Sequence, residues 1–559
     1  MADTIDTRSQ NGTSTSSNGT VSEGARSNVV SNDAIRKAIA EAYAKMGLNA
    51  MPSINGPEGI CYDFCWGLRV YIPDSPKRAY RIRYWELESE RLMFDGVVNQ
   101  CAWVQSTSHY CTRYRLLITD NVTGEKIVEH TTDFKGRDVL ISIPVETVGD
   151  TLAWFPSVVE FQRIHQCRLF VSMSDHMRAL LEKANPEVIF IDRKQSQSLR
   201  PYAFYTIAVS FDGNTTEQPY DWRLTPLHWV GANILGLDAY ALQETRPRVV
   251  FNPEDRKIKE PYVCISTMAS GLCKMWMNPY GWDKVVEFLK RAGYRVIAID
   301  GRSTTGYGIV YQKTPKGAED WTGVGEGKTL SDRAALLYHA DFFIGLGSGL
   351  SWLSWAMNKP TVLISNFSLP YCEFHTPYRV WNPFSCHGCF TNPLYKFENR
   401  DPLWCPLYKG DPKMQYSCSL TITSAQVINA IKRIPEFQRH NSSRLETVVE
   451  EAAKTVKPVI NDVDAGSSVK VRDGKPIFEK VEKPKENRIP PADLALVPGK
   501  EKVLHPGDNG MKGIIAGVQL QLDRNYGEKK ESSSAKPKKS AGNTLKKNKK
   551  KEKKNVKPD

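Results

Sequence analysis

Two stretches of this chain alternate apolar strands with helices, and this alternation limits the possible folds more than any other feature of the sequence. The first stretch begins near residue 138 and the second near residue 262. A strand followed by a helix and another strand joins parallel neighbours, because the crossover lays the helix on a face of the sheet. The predicted strands are 138–144, 168–172, 188–192, 262–266, 295–300, 342–344 and 361–365, and the predicted helices are 151–163, 175–184, 282–292, 330–339 and 350–357. Each stretch therefore predicts a doubly wound parallel sheet.

The segment before these stretches has a different pattern. Residues 55–136 alternate aromatic and apolar side chains in short runs separated by turn residues, which predicts a β-rich accessory domain. The expected architecture is α/β, with a first Rossmann-like domain at 137–245, a second at 260–440 and the accessory domain before them. Two such sheets in series place a cleft between their carboxyl ends, where α/β proteins bind ligands.

Both ends of the chain lack the composition of a folded domain. Residues 1–32 are rich in Ser, Thr, Asn and Gly, and residues 441–559 are rich in Lys, Glu, Pro and Ser, so both are predicted to be disordered. Residues 528–559 carry 13 Lys against four acidic residues, so this segment holds most of the net charge of +13. The folded part is nearly neutral, and the charge therefore does not predict a nucleic-acid-binding surface there.

No segment predicts export or membrane insertion. The N-terminus lacks a basic start followed by an apolar run, so we expect no signal peptide. The most apolar stretch, 342–356, is interrupted by three Gly and three Ser and is shorter than the roughly 18 residues that a spanning helix needs. We expect a cytoplasmic protein without a transmembrane segment, whose 12 Cys stay reduced.

Three positions at predicted strand ends can face the cleft. Asp150 precedes the helix predicted at 151–163, where its carboxylate can act as a base or simply cap the helix. Lys274 follows the strand predicted at 262–266, and its ammonium can bind phosphate or merely be solvated. Gly347, Ser348 and Gly349 form a turn before the helix that starts near Leu350, and this turn either exposes N–H groups to an anion or only meets a backbone requirement.

Four cysteines give a sharper signal. Cys386 and Cys389 are separated by two residues, and Cys405 and Cys418 follow within the same 386–418 segment. This spacing can close a tetrahedral site of four thiolates, although four buried Cys without metal remain the alternative. The spacing does not distinguish zinc from iron.

The residues of both domains resemble a known family. The segment VGDTLAWFPSVVEF is similar to the Gly-Asp-x-x-x-x-x-Pro signature of the ADP-heptose-dependent lipopolysaccharide heptosyltransferases, and GLGSGLSWLSWAMNKPTVLIS to their phosphate-loop segment. The Trp residues in both segments, the β-rich domain and the four-cysteine finger resemble those of one branch, the bacterial autotransporter O-heptosyltransferases of the TibC type. The resemblance covers roughly residues 55–435 and neither tail. Where the lipopolysaccharide branch has Asp before its Thr/Ser-Gly, this chain has Gly347.

The resemblance implies a GT-B fold, ADP-heptose as donor, and inverting transfer of heptose to Ser of autotransporter adhesin passenger domains before export. It implies that Asp150 is the general base, that Lys274 binds the donor diphosphate, and that one structural iron per chain is held in the finger, without a catalytic metal. It further implies a homo-oligomer, as a ring-like dodecamer. The residues assigned to substrate binding are Thr151, Lys274, Gly347, Ser348, Gly349 and Leu350, and those assigned to iron are Cys386, Cys389, Cys405 and Cys418.

Two alternatives stay open at this point. The same frame can serve a lipopolysaccharide-core heptosyltransferase or another sugar transferase, because a fold does not fix a function. A nucleic-acid-binding protein with a four-cysteine module is the other. The basic residues around the finger are nearly matched by acidic ones, so no nucleic-acid partner is expected.

Overall fold

The computed structural model describes residues 49–455, the isolated positions Lys37, Glu41 and Ala44, and two short segments at 471–472 and 475–476. The predicted disordered segment 1–32 and nearly all of 456–559 lie outside the described residues. The chain divides into two compact units, Met1–Val459 and Ile460–Asp559. The described residues of the second unit form an antiparallel pair of two-residue strands, Val471–Arg472 and Lys475–Pro476. All that follows concerns the first unit.

The N-terminal half of this unit contains twelve strands in two sheets. In chain order they are β1 (Ile54–Asn55), β2 (Cys61–Cys65), β3 (Arg69–Ile72), β4 (Tyr80–Glu86), β5 (Leu92–Val98), β6 (Ala102–Gln105), β7 (Tyr114–Asp120), β8 (Lys126–Thr131), β9 (Asp138–Ser142), β10 (Arg168–Ser172), β11 (Ile189–Ile191) and β12 (Ala203–Thr206). An eight-stranded sheet has the order β11-β10-β9-β12-β2-β3-β6, with β1 beside β2. Strands β9 to β12 are parallel, as the first alternating stretch predicts.

The eight-stranded sheet crosses the domain boundary predicted between residues 136 and 137. Strand β2 pairs in parallel with β12, and Phe64 lies opposite Ala203. Residues 62–65 of β2 are all buried, which is typical of a central strand rather than of a one-sided antiparallel sheet. The accessory sheet proper is the four-stranded antiparallel sheet β5-β4-β7-β8, in which exposed and buried residues alternate along the first half of β4.

The C-terminal half is built on a second parallel sheet. Its strands are β13 (Tyr262–Ile265), β14 (Arg295–Ala298), β17 (Glu319–Asp320), β18 (Phe343–Leu346), β19 (Thr361–Ile364) and β20 (Arg379–Val380), and a separate hairpin pairs β15 (Thr304–Tyr307) with β16 (Val310–Lys313). The sheet order is β17-β14-β13-β18-β19-β20, and every pair is parallel. This confirms the parallel sheet that the second alternating stretch predicts.

The helices lie between these strands. In chain order they are α1 (Val148–His165), α2 (Asp175–Leu181), α3 (Arg193–Ser198), α4 (Trp229–Ile234), α5 (Gly281–Arg291), α6 (Leu330–His339), α7 (Gly349–Ala356), α8 (Ser417–Leu420), α9 (Ser424–Ile431) and α10 (Pro435–Thr455). Helix α5 buries Val285, Val286 and Leu289 on one face, which is the 3.6-residue spacing visible in the sequence. Among the helices of the described residues, none is both long and apolar enough to cross a membrane.

The predicted start of the C-terminal tail at residue 441 is wrong, because α10 continues to Thr455. Phe437 is buried against Phe288 and Phe342, so the first turns of α10 belong to the core of the second half. His440 contacts the carbonyl oxygen of Ala292 at 2.9 Å, and Arg444 donates to that of Arg291. These side chains satisfy the carbonyls at the end of α5, a contact between distant segments that composition alone does not reveal.

Candidate functional site

A cavity of about 1110 Å³ lies between the two halves, where the parallel strands of both sheets end. Segments from both halves line it. They are 146–150 at the start of α1, 268–270 and Lys274 after β13, 300–302 after β14, 347–350 between β18 and α7, and 372–373 after β19. The cleft between the sheets therefore brings together most of the residues that the sequence predicts for the site.

Asp150 lies in the first turn of α1, because this helix begins at Val148, before the predicted start at 151. Its carboxylate lines the cavity, is half-buried, and accepts a hydrogen bond from the Thr147 hydroxyl. Thr147, not Asp150, is the N-cap residue. Among the described residues, the Thr147 hydroxyl is the one side-chain group that donates to this carboxylate, which lines the cavity.

Thr151, which the family resemblance assigns to substrate binding, does not line the cavity. Its side chain is fully buried, and its hydroxyl donates to the Thr147 carbonyl oxygen at 2.9 Å. A helical residue three or four positions from a site residue shares its face, whereas the adjacent residue points elsewhere. Thr151 therefore lies on the buried face of α1, away from the cavity that Asp150 lines.

The first turns of α1 and α7 touch each other at the floor of the cavity. A Cβ atom added at Gly349 would lie 2.8 Å from Cβ of Val148, and one added at Gly149 would lie 2.9 Å from Cδ1 of Trp352. Neither distance leaves room for a side chain, so both glycines are required by close approach rather than by a turn. Two helix N-termini therefore meet in one cavity, one from each half.

The turn before α7 can receive an anion. Gly347, Ser348, Gly349 and Leu350 all line the cavity. No side chain of the described residues caps this helix, whose N-cap residue is Ser348. The N–H groups of Gly349 and Leu350 and the positive end of the helix dipole are then available to a ligand, while those of Ser348 and Ser351 donate to backbone carbonyls.

Lys274 ends a 3₁₀ helix, Leu272–Lys274, and its ammonium lies over two aromatic rings. Its Nζ is 5.5 Å from the ring centroid of Phe367 and 6.0 Å from that of Phe390. The next residues are anchored to the segment after Cys418: the Ser419 hydroxyl donates to the Met275 carbonyl oxygen at 2.5 Å. The ammonium of Lys274 therefore packs on two aromatic rings, and its loop is anchored to the Cys-rich segment.

Two buried carboxylates of the cavity were not predicted from the sequence, and neither was the exposed Glu146. Asp300, at the end of the segment containing β14, is 2% exposed and accepts hydrogen bonds from the Ser266 hydroxyl at 2.7 Å and the Thr267 N–H at 2.9 Å. Burial raises the pKa of this carboxyl group. Asp300 directly follows the apolar residues 296–299, and this place at the end of a predicted strand was an available signal for it. The second, Glu373, follows a 3₁₀ helix and gives no local sequence signal.

The four cysteines of the predicted finger lie in one half-buried neighbourhood. Sγ of Cys386 is 3.2 Å from the Ser417 hydroxyl, and a hydrogen bond from Cys418 lowers the pKa of Cys386 to about 6. Burial raises the pKa of Cys389 to about 12, with Cys386 and Cys405 acting on the same thiol. In the part of the chain that the structure describes, no three His, Cys, Asp or Glu side chains form a metal-ligand set. The thiols suit a soft metal ion in kind, and the metal itself stays a prediction.

Known proteins match most of the described residues. Residues 235–367 match the family model of glycosyltransferase family 9 (heptosyltransferase), and residues 56–121 match that of the N-terminal domain of glycosyltransferase TibC. The autotransporter heptosyltransferase BAHTCr of Citrobacter rodentium is 40% identical over 384 residues, which is 69% of this chain and 91% of the relative. An inactive autotransporter heptosyltransferase, BimC of Burkholderia thailandensis, is 31% identical over 394 residues, covering 69% of this chain and 88% of the relative.

A solved structure agrees with these matches. The crystal structure of a dodecameric iron-containing heptosyltransferase, TibC, in complex with ADP-D-beta-D-heptose aligns with a TM-score of 0.65 and 39% identity, over 70% of this chain and 98% of that one. TibC is from Escherichia coli. At this identity the likeness extends beyond the fold.

Proposed function

We propose, from the premise that this chain belongs to the autotransporter heptosyltransferase family, that it transfers heptose from ADP-heptose to Ser hydroxyls of an autotransporter passenger domain. The transfer inverts the anomeric carbon, and the two parallel-sheet halves form a GT-B frame around the reaction. One observation carries the proposal: Asp150, Lys274 and the turn from Gly347 to Leu350 face the same cavity. Because one relative is named inactive, activity has to be argued from this chain's own residues.

Asp150 supplies the base. A serine hydroxyl is a weak nucleophile, and a carboxylate within hydrogen-bond reach removes its proton as the oxygen attacks the anomeric carbon. The Thr147 hydroxyl bonds to the same carboxylate and fixes its direction. The attack comes from the face opposite the departing ADP, so the base and the diphosphate site belong on opposite sides of the sugar.

Lys274 and the first turn of α7 supply the opposite charge for the leaving group. The departing diphosphate gains negative charge in the transition state, and fixed donors stabilise it most effectively where water is excluded. Here these donors are the ammonium of Lys274 and the N–H groups of Gly349 and Leu350, whereas the N–H of Ser348 donates to the Leu346 carbonyl oxygen. The proposal therefore includes no catalytic metal.

Cys386, Cys389, Cys405 and Cys418 would hold a structural iron. Four thiolates bind iron or zinc, and such a metal would fix the conformation of the irregular 386–418 segment. That segment lies against the Lys274 loop through the contact of Ser419 with Met275. The metal would thereby stabilise the donor side of the cavity.

The chain forms a homo-oligomer, with a dodecamer as the expected form because TibC is described as dodecameric. It modifies its acceptor in the cytoplasm before export. We propose 55–136 as the acceptor-docking accessory region, 137–245 as the domain carrying the base, and 260–440 as the donor domain, with β2, β3 and β6 shared with the first sheet.

The two alternatives are not favoured. A lipopolysaccharide-core enzyme does not account for the match of residues 56–121 to the TibC N-terminal domain. A nucleic-acid-binding protein does not account for a cavity lined by a base, a lysine and a helix N-terminus.

Mass spectrometry of a co-expressed autotransporter passenger domain tests the proposal. We expect Ser residues of the passenger to gain the mass of one heptose each when the wild-type protein is present. Asp150→Asn should abolish the gain. Asp175→Asn, which changes an exposed Asp in the first turn of α2 outside the cavity, should retain it. An unmodified passenger, or an increment of another sugar, would contradict the proposed donor and acceptor.

A further inference from the structure

A buried carboxylate lies against the glycine that opens the anion-binding turn. A Cβ atom at Gly347 would collide with Oε1 of Glu373, so only glycine admits this approach. The φ angle of Gly347 is not in the left-handed region, and the requirement is therefore one of space. The carboxylate of Glu373 and the backbone of Gly347 occupy adjoining parts of the cavity wall.

Glu373 is fixed from two sides. The Ser365 hydroxyl donates to Oε1 at 3.1 Å, and Arg379 donates to Oε2 at 2.5 Å. The side chains of Glu373 and Arg379 are 8% and 10% exposed. Arg379 also donates to the Ser368 carbonyl oxygen at 3.1 Å. A carboxylate has about four acceptor positions, and these two contacts leave others for a ligand in the cavity that Glu373 lines.

The position of Glu373 places it among the predicted site residues. Burial raises the pKa of the neighbouring Cys372 thiol, and the charges of Glu373, Lys274, Arg379 and Asp150 all act on that thiol. These four side chains therefore lie within electrostatic range of one point. The charges of Lys274 and Arg379 balance those of Glu373 and Asp150 here, and a carboxylate paired in this way accepts further hydrogen bonds well from neutral hydroxyl groups.

We propose that Glu373 accepts hydrogen bonds from the hydroxyls of the donor's sugar and so selects the sugar half of the nucleotide sugar. The inference rests on the proposed function, since it assumes a nucleotide-sugar donor. Arg379 is the positioning residue, because it holds the carboxylate and the backbone carbonyl beside it. The diphosphate binds Lys274 and the N–H groups of Gly349 and Leu350, which follow Gly347 in the turn, and the sugar then reaches the carboxylate beside Gly347.

Calorimetric titration of full-length Glu373→Gln with ADP and with ADP-heptose tests the inference. A charged hydrogen bond contributes enough that its loss should weaken ADP-heptose binding by roughly tenfold or more. ADP, which has no heptose, should bind within about twofold of wild type. Glutamine keeps the shape of the side chain, and Glu287→Gln, which makes the same change at an exposed carboxylate of α5 outside the cavity, is the matched control and should leave both affinities nearly unchanged.

Each other outcome overturns a defined statement. Equal weakening of ADP and ADP-heptose in Glu373→Gln would show that the carboxylate only supports the loop, and unchanged ADP-heptose binding would remove it from the site. A second variant, Gly347→Ala, forces the carboxylate away. If the two residues act together, adding Glu373→Gln to Gly347→Ala should cause little further loss of ADP-heptose binding. Wild-type protein that binds ADP but not ADP-heptose would instead overturn the proposed donor.

Discussion

The two walls of the cavity are built differently. On the wall from the first half, Asp150 is half-buried and its carboxylate is held by the Thr147 hydroxyl. On the wall from the second half, Asp300 is fully enclosed by the loop after β13, and Glu373 is locked to Arg379. The wall from the first half, here called the base wall, is open and its carboxylate has few contacts. The wall from the second half, here called the donor wall, is cross-linked by hydrogen bonds and an ion pair.

This difference fits the two substrates. A nucleotide diphosphate is small and constant, so donors fixed in advance stabilise it without reorganisation. An acceptor that is part of a protein chain needs room to enter, and a wall with few cross-links leaves that room. The comparison predicts that substitutions on the base wall change chemistry alone, whereas those on the donor wall change binding and stability together.

The largest effect is expected at Asp150. Asp150→Asn removes the proton acceptor and should lower the transfer rate by about a hundredfold or more. ADP-heptose affinity should be retained, because the donor wall is untouched; calorimetry and a transfer assay measure the two separately. Glu146→Gln changes the highly exposed carboxylate of the same wall and should retain most activity. Loss of donor binding in Asp150→Asn would break the distinction between the walls.

An intermediate effect is expected from the finger. Cys418→Ser should lower the metal content, measured by elemental analysis, and weaken ADP binding several-fold, because the adjacent Ser419 anchors the Lys274 loop. Cys167→Ser, a buried Cys of the other half, is the matched control and should leave the metal content unchanged. Metal-depleted protein with wild-type ADP affinity would show that the finger does not support the donor wall.

The smallest effect concerns the contact between the walls. Burial lowers the pKa of His228 from 6.5 to about 4, and its ring packs near that of Trp352. His228 therefore takes up a proton near pH 6.5 in the unfolded chain but only near pH 4 in the folded chain. His228 stabilises the fold fully above pH 6.5, and this contribution, at most about 3 kcal/mol, is lost as the pH falls towards 4.

Urea unfolding at pH 7.5 and pH 5 measures this dependence. His228→Gln cannot titrate and should lose less stability between the two pH values than wild type does. Burial also lowers the pKa values of His130 and His165, but these two residues contribute equally in both proteins. The difference between the two proteins in the change of unfolding free energy therefore reports His228. Equal losses of unfolding free energy in the two proteins would mean that protonation of His228 does not destabilise the folded chain.

The local patterns predicted the second half well and the first half less well. The bounds of α6 agree with the predicted 330–339, because its apolar spacing and its Thr329 cap are both local. The pairing of β2 with β12 joins residues more than 130 positions apart, and the sequence of neither strand indicates which strand it pairs with. A domain boundary drawn from local patterns therefore passed through a continuous sheet.

The same limit applies to the cavity. Asp150, Lys274 and the turn before α7 follow strand ends, where topology alone directs them to one edge. Glu373 lines the cavity beside Gly347, and Thr151 lies on the buried face of α1. These two outcomes depend on side-chain packing, which the sequence pattern does not record.

The contact between Gly149 and Gly349 has a mechanical consequence. With no side chain between them, the two halves meet backbone to backbone at the floor of the cavity. A rotation of the two halves that opens the cleft while keeping this contact has its axis near the two glycines. The outer rim then travels farthest, and the neighbouring Asp150 and Ser348 hardly move apart. The mouth can widen for an acceptor loop while the reacting ends of α1 and α7 keep their spacing.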